Sequence, residues 1–454
     1  MNLSLTMLLA MMATQGSVND ALDLVDSKTY WRQAKVEMTV DALAAQLYAK
    51  VDGETMPAAA TRWLMAIRAL GELKQKAALK SLLPLLQNKS PFVADYAKQA
   101  VSAIEGAEFR REEASREKLE SDLALLPSGC GAVAQMRVPP GRALSWDTFA
   151  GLIEEKGPVA GEGGPDANAV REEMTRKLMA FLAKVGNFRL DAVTLGVSGS
   201  LRTDTGFIVL VARGLYDVDA VGKALKPFAT RGVETVDGVD VFRLDLDLGI
   251  VYPKPVIVCP SNDRLILVMG GSVEAERAPL DQALAALKGA KGGVETDADM
   301  KALVNSVDRT KRLWAAIRPA SFPRQHAVVA PFDAVTLVAD DRDGMTAFTL
   351  VARGQDGNKA AVAAKLFDDA RQDAIRSGKK EKPPHGMEAM QAGILDFFEN
   401  IKVAQDGARV TLTAAFKGSS AVSILLPMVL VDTTVRCYAP PPAPDAPKPA
   451  PQDR

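Results

Sequence analysis

Histidine and cysteine are nearly missing from this chain of 454 residues, which has two of the first and three of the second. The commonest general base and metal ligand is thus reduced to His326 and His385, each in a proline-flanked stretch. That leaves little room for histidine chemistry or a metal centre. Cys130, Cys259 and Cys437 match no zinc or redox spacing, and an odd number cannot form a complete disulfide framework. An excess of positive charge is also lacking. Lys and Arg total 55 against 56 Asp and Glu, for a net charge of -1. With no long basic stripe, nucleic acid is excluded as a partner. Lys379-Lys380-Glu381-Lys382, the densest basic stretch, reads as a solvated loop before Pro383-Pro384. Long apolar runs are missing as well: Leu5–Ala13 and Ser423–Val431 are both too short for an integral membrane span.

Catalytic motifs are equally scarce. Gly222-Lys223 continues into Ala224 inside a helical pattern, so no phosphate-binding Walker loop is present. Gly129-Cys130-Gly131 precedes a strand, whereas a dinucleotide loop follows one. Gly161-Glu162-Gly163-Gly164 and Gly289-Ala290-Lys291-Gly292-Gly293 lack a strand-to-helix setting and read as loops. No HExxH, GxSxG or EF-hand pattern occurs. The expectation is no catalytic residue, no cofactor and no metal ligand.

What is present is a soluble globular composition, 48% hydrophobic and 24% charged, in a chain long enough for two or three domains. Leu5–Ala13, followed by small and polar residues, has the length of a signal-peptide core, with cleavage expected near Ala13 or Gly16. Residues 1–16 are therefore read as a leader and the protein as exported, with association to the cell envelope compatible with that reading. From residue 17 to 106 the pattern is helical. Thr39 suits an N-cap, Pro57 a first helical turn, and Gly71 a stop. Leu79, Leu82, Leu83 and Leu86 stripe a third helix, and Ser90-Pro91 opens a fourth. Trp63, Ile67, Leu70, Leu83 and Tyr96 are expected to face inward. Ala66, Ala69 and Leu70 recur as Ala97, Ala100 and Val101, a period of 31. The stretch AIRALGELKQKAALKSLLPLLQNKSPFVADYAKQAVSAIEG resembles the short HEAT repeats of the phycobilisome-lyase type. That resemblance covers about forty residues and implies protein contact or scaffolding. About one and a half repeats are visible, fewer than the three or so a solenoid needs, so the preceding helices would act as a cap.

Residues 107–122 are densely charged with mixed sign and read as an exposed linker helix, with Glu112 and Arg116 in the favourable order. The rest is a duplication. Asp191-Ala-Val-Thr-Leu195 recurs as Asp333-Ala-Val-Thr-Leu337, and Leu210-Val-Ala-Arg-Gly214 as Leu350-Val-Ala-Arg-Gly354, at offsets of 142 and 140. The two copies span 123–294 and 295–432, each alternating hairpins with helices, and Asp237-Gly238 marks a type I′ turn. Leu123-Ala-Leu-Leu-Pro127 running into a strand resembles poorly characterised exported bacterial proteins of unknown function. Residues 433–454 are Pro/Ala-rich and expected to be disordered. The fold class expected is multidomain: an all-α HEAT-like N-terminal domain plus an internally duplicated α+β domain with antiparallel sheet.

Four arginines in duplicate, Arg137 and Arg318 ending the first strand of each copy and Arg213 and Arg353 ending the third, are candidates for an anion-binding crevice. The plainer reading is a cross-strand salt bridge, Asp191 with Arg213 and Asp333 with Arg353. Asp245 and Asp247 share a strand face, as a carboxylate enzyme would want, but alternation makes that face the solvated one. Cys130 lacks a base that would make it a nucleophile, though a Cys130–Cys259 bridge is open to it. Three functions follow, in order: an exported interaction or scaffold protein with an unknown protein partner; a carrier of an apolar or anionic ligand; and a carboxylate-based enzyme.

Overall fold

In the computed structural model the residues described are 27–49, 56–107, 116–137, 188–199, 205–229, 231–244, 255–290, 292–322, 330–342, 345–380, 395–396 and 398–417. The expected leader, the proline-rich tail, Asp245, Asp247, both histidines and Cys437 lie outside them. Among the described residues, no helix is long and apolar enough to cross a membrane.

The chain opens with four helices: α1 (Ser27–Gln33), α2 (Val40–Gln46), α3 (Met56–Glu72) and α4 (Pro91–Glu105). The Ala42 amide donates to Thr39 Oγ1 at 3.3 Å, so Thr39 caps α2 as its position predicts. Gly71 does not stop α3, which runs one residue further. A Cβ at Gly71 would lie 2.7 Å from the Ala100 Cα, so glycine is what lets α3 and α4 cross closely. Ile67, Leu70 and Tyr96 are buried with Trp31, Leu43 and Leu82 in one core. Trp63 and Leu83 were expected there too, and both are exposed. Trp63 lies two turns before the Gly71–Ala100 crossing, on the side of α3 left uncovered there. Leu83 starts a 3-10 segment, Leu83–Gln87, carrying Pro84. The change from a period of 3.6 to 3 keeps Leu82 inside and turns Leu83 out.

Next come α5 (Arg116–Leu123) and β1 (Ala132–Arg137), then the hairpin β2 (Phe188–Ser198) and β3 (Phe207–Tyr216). After α6 (Val218–Leu225) the chain forms β4 (Val233–Val236), β5 (Val239–Arg243), β6 (Val256–Ser261) and β7 (Arg264–Gly270). Asp237 (φ 54°) and Gly238 (φ 80°) both take left-handed backbone, the geometry of the tight turn their pairing predicts. Helices α7 (Val273–Leu287) and α8 (Ala298–Asn305) lead to β8 (Leu313–Ile317). The last elements are β9 (Phe332–Arg342), β10 (Met345–Gly354), α9 (Gly357–Lys380), β11 (Lys402–Asp406) and β12 (Arg409–Lys417). Lys379 and Lys380 thus end a helix and do not lie in a loop.

The expected fold class does not hold. The strands form one twelve-stranded sheet in the order β11-β12-β10-β9-β8-β1-β2-β3-β7-β6-β5-β4, so the duplicated copies are not closed modules. Nor are the N-terminal helices a free-standing all-α domain. They share a compact unit with the strands through Ile317, plus Leu337–Asp340, and Leu215 of β3 packs on their core. So short a helical segment leaves apolar surface open, and a strand residue supplies part of the cover. A smaller unit takes Arg318–Thr336 and the described residues from Asp341 onward.

In the larger unit β3 and β7 are buried along nearly their whole length on both faces. In the smaller unit β10 and β12 alternate instead. Phe348, Ala352, Val410, Leu412 and Ala414 are buried on the side where α9 packs.

Candidate functional site

Arg213 sits near the end of β3, in the repeated Leu-Val-Ala-Arg-Gly, and is only 3% exposed. Its register partner on β7 is Arg264, a like-charge pair that is unfavourable without a counter-ion. The counter-ion comes from α5. Leu119 and Leu123 of that helix are buried, which places Asp122 against the arginines with no exposure at all. Arg213 Nη2 donates to Asp122 Oδ1 at 2.6 Å and Nε donates to Oδ2 at 2.8 Å, a two-pronged fork. Arg264 Nε lies 3.2 Å from the same Oδ1, an ion-pair contact. Arg213 Nη1 donates to Asp263 Oδ2 at 2.8 Å, and the Ser261 hydroxyl donates to Asp263 Oδ1 at 2.6 Å. Arg213 Nη2 also reaches the Lys118 carbonyl at 3.1 Å.

Two opposed effects set the ionisation of this cluster. Burial pushes the Asp122 carboxyl up, and the pull of Arg213 and Arg264 does not bring it back to the ordinary aspartate value. Burial acts the same way on Asp263, but there Ser261, Arg213 and Arg264 outweigh it and hold the carboxyl below that value. Burial works against the charge on Arg213, and Asp122 more than restores it. A second set of bonds fixes α5 beside this cluster. Gln135 Nε2 donates to the Leu119 carbonyl at 3.1 Å and to Thr194 Oγ1 at 2.9 Å, while Trp314 Nε1 donates to Gln135 Oε1 at 3.2 Å. The carboxylate of Asp122 is held between two guanidinium groups in a dry setting. This arrangement anchors a helix to a sheet, and it shows what a pair of cross-strand arginines in this fold accepts.

The expected Asp191–Arg213 facing pair is replaced by this cluster. Leu190 pairs with Gly214 but Ala192 pairs with Arg213, so Asp191 is the extra residue of a β-bulge and loses its place across from Arg213. In the smaller unit Arg353 and Asp333 are both exposed. No ion pair joins them among the described residues. Arg353 faces Arg409 across β12. Arg137 is half-buried, with Nη2 donating to the Arg309 carbonyl at 3.2 Å. Arg318, also half-buried, belongs to the smaller unit. Cys130 and Cys259 are both buried and no disulfide joins them. Burial pushes the Cys259 thiol up to about 12, far from a reactive thiolate. Among the described residues no group of three or more His, Cys, Asp or Glu is placed to hold a metal ion.

Asp122 was missed by sequence reasoning because it lies in a run of mixed charge, where a solvated face is the ordinary outcome. The signal that could have found it is Leu119 and Leu123 flanking it at helical spacing. A second feature the sequence concealed is the exposure of three large apolar side chains on the helical segment. Tyr48 is 69% exposed, Leu83 49% and Trp63 38%. The buried Arg62 reaches the carbonyls of Gln46 and Ala49, Nη2 to Ala49 at 2.9 Å, so Tyr48 and Trp63 emerge from one junction.

No protein-family model and no curated protein matches the chain. Among solved structures, crystal forms III and IV of TP0453 align with TM-scores of 0.36 and 0.35 at 12% identity. The alignments cover 67% and 68% of this chain and 96% of that one. A likeness of that size carries neither fold nor function across.

Proposed function

We propose that this chain is an exported interaction protein whose helical segment docks a protein partner. The observation behind the proposal is the exposure of Tyr48, Trp63 and Leu83, two of which stand on stripes whose spacing points inward. Large apolar side chains held outward on a helical segment and its turns are what interfaces bury, and Trp and Tyr carry a large share of the binding energy there. The test is in-cell photo-crosslinking from positions 48, 63 and 83, with exposed Lys98 as control. One adduct mass common to the three positions and missing at 98 supports the reading. Equal or no adduct at all four sinks it. The export arm rests on Leu5–Ala13 and is checked separately by N-terminal sequencing of protein from a periplasmic or culture fraction. A start near residue 14 or 17 is expected, and an intact Met1 counts against it.

A further inference from the structure

The same pair of arginines is built twice and neutralised once. In the larger unit Arg213 of β3 faces Arg264 of β7. In the smaller unit Arg353 of β10 faces Arg409 of β12. Both pairs stand where the repeated Val-Ala-Arg-Gly meets the second strand of a later hairpin, β6–β7 in one unit and β11–β12 in the other. In the first pair Asp122 is inserted between the guanidinium groups from one side, and Asp263, one residue before Arg264, closes the other. In the second pair the residue before Arg409 is Ala408, and no described carboxylate enters from a helix. Asp406, the register partner of Arg409 on β11, makes no ion pair with it among the described residues. Arg353 and Arg409 are both exposed, and among the described residues neither guanidinium has an ion-pair or hydrogen-bond partner.

Like charges directly opposite on neighbouring strands are unfavourable, and among the described residues of the smaller unit no carboxylate pairs with either arginine to offset the cost. The rows that continue from the arginines on the same face are Val351–Thr411, Thr349–Thr413 and Ala347–Ala415. They are half-buried or exposed, and the opposite face is the one turned toward α9. This strip offers methyl groups next to the two arginines. The larger unit shows what such a place receives: an aspartate on a helix whose leucines, Leu119 and Leu123, are buried alongside.

We infer that Arg353 and Arg409 form a docking site for an acidic side chain of a partner protein, carried on an amphipathic segment whose small apolar residues lie on the Val351–Thr411 and Thr349–Thr413 rows. The site repeats, with a partner's carboxylate, the contact Asp122 makes inside the larger unit. It rests on the arginine pair and not on Tyr48, Trp63 and Leu83, so either surface can fail alone.

The probe is a fluorescent peptide with the sequence of residues 116–128, REKLESDLALLPS, titrated into the full chain and followed by anisotropy. Saturable binding is expected, weakened about tenfold or more by Arg353→Gln, by Arg409→Gln, and by placing Asn at the Asp122 position of the peptide. Arg213→Gln controls for exchange with the native α5. Thermal unfolding of the same variants separates binding from structure. Arg353→Gln and Arg409→Gln are expected to melt no lower than wild type, because each removes an unbalanced like charge, whereas Arg213→Gln melts lower. The inference is overturned by any of four results: no saturable binding; binding indifferent to Arg353, Arg409 and the peptide aspartate; Arg353→Gln melting as low as Arg213→Gln; or binding that emerges only once residues 418–454 are removed, which would make the chain's own C-terminal segment the occupant.

Discussion

Leu-Val-Ala-Arg-Gly occurs in β3 and again in β10, and the two copies live in different surroundings. Leu210 through Arg213 are all buried, while Leu350 and Val351 are half-buried and Arg353 is exposed. Five identical residues in the same strand position therefore specify the ladder and not the environment. What differs is what covers the face carrying the arginine. In the larger unit α5 brings Asp122 to it. The residues opposite Val209 and Val211 on β7 are Val268 and Ile266, whereas those opposite Thr349 and Val351 on β12 are Thr413 and Thr411. Apolar branched residues accompany a covered face, and threonine accompanies one that meets water.

The comparison is broken most directly at the carboxylate. Asp122→Ala leaves Arg213 buried without its fork and is expected to cost about 3–5 kcal/mol in urea unfolding. Arg353→Ala, at the matching position, should stay within about 0.5 kcal/mol. Equal losses would mean the two pairs are energetically alike. One row inward, Ile266→Ala removes a fully buried side chain and should cost about 2–5 kcal/mol. Thr411→Ala at the equivalent place should change stability by about 0.5 kcal/mol or less. A third contrast lies in β2. A Cβ at Gly196 would meet Cys130 Sγ at 2.8 Å and Leu126 Cδ2 at 3.2 Å. The equivalent residue in β9, at the offset of 142, is Val338. Gly196→Val should therefore lose about 1–3 kcal/mol or more by overpacking, and Val338→Gly no more than about 1 kcal/mol through backbone entropy, both read from the denaturant midpoint. If Gly196→Val is tolerated, the Leu126–Cys130 segment is looser than its contacts indicate.

The smallest effect is in the pH dependence. The folded-state value of Asp263 lies below its ordinary 3.8. It binds its proton more weakly when folded, so its contribution is present above pH 3.8 and vanishes as pH falls through the lower folded value. Wild type should lose stability in that acid window relative to Asp263→Asn. Because Asp263 is nearly half exposed, the difference is modest. Parallel profiles for wild type and Asp263→Asn would remove Asp263 from the cluster's balance.

Much of the ladder was legible from short-range pattern. The Asp237-Gly238 turn, the Thr39 cap and the inward Ile67, Leu70 and Tyr96 follow from local rules, and the structure has them. The Asp191–Arg213 pairing failed by one residue, because the β2–β3 hairpin closes half a residue later than symmetric counting assumed and stores the difference as a bulge at Asp191. Asp122 escaped because its partners lie 91 positions away, and no sequence period spans such a gap. Trp63 and Leu83 escaped for a complementary reason: amphipathic spacing identifies a stripe, and which of its residues are covered is a tertiary fact.

The place of β1 in the sheet bears on how the protein is made. Strand β1 is bonded on one side to β2 and on the other to β8, where Ala132 pairs with Ile317, 185 residues further along. At roughly 5–20 residues per second of synthesis, a nascent chain waits roughly ten to forty seconds between making β1 and making the strand that closes it. Through that interval the β8 side of β1 is an open row of backbone donors and acceptors, the kind of edge that recruits foreign strands. Closure of the larger unit thus waits on Leu313–Ile317 reaching β1, and a chain cut short before Leu313 should keep that edge of β1 open and aggregate more readily than the full chain.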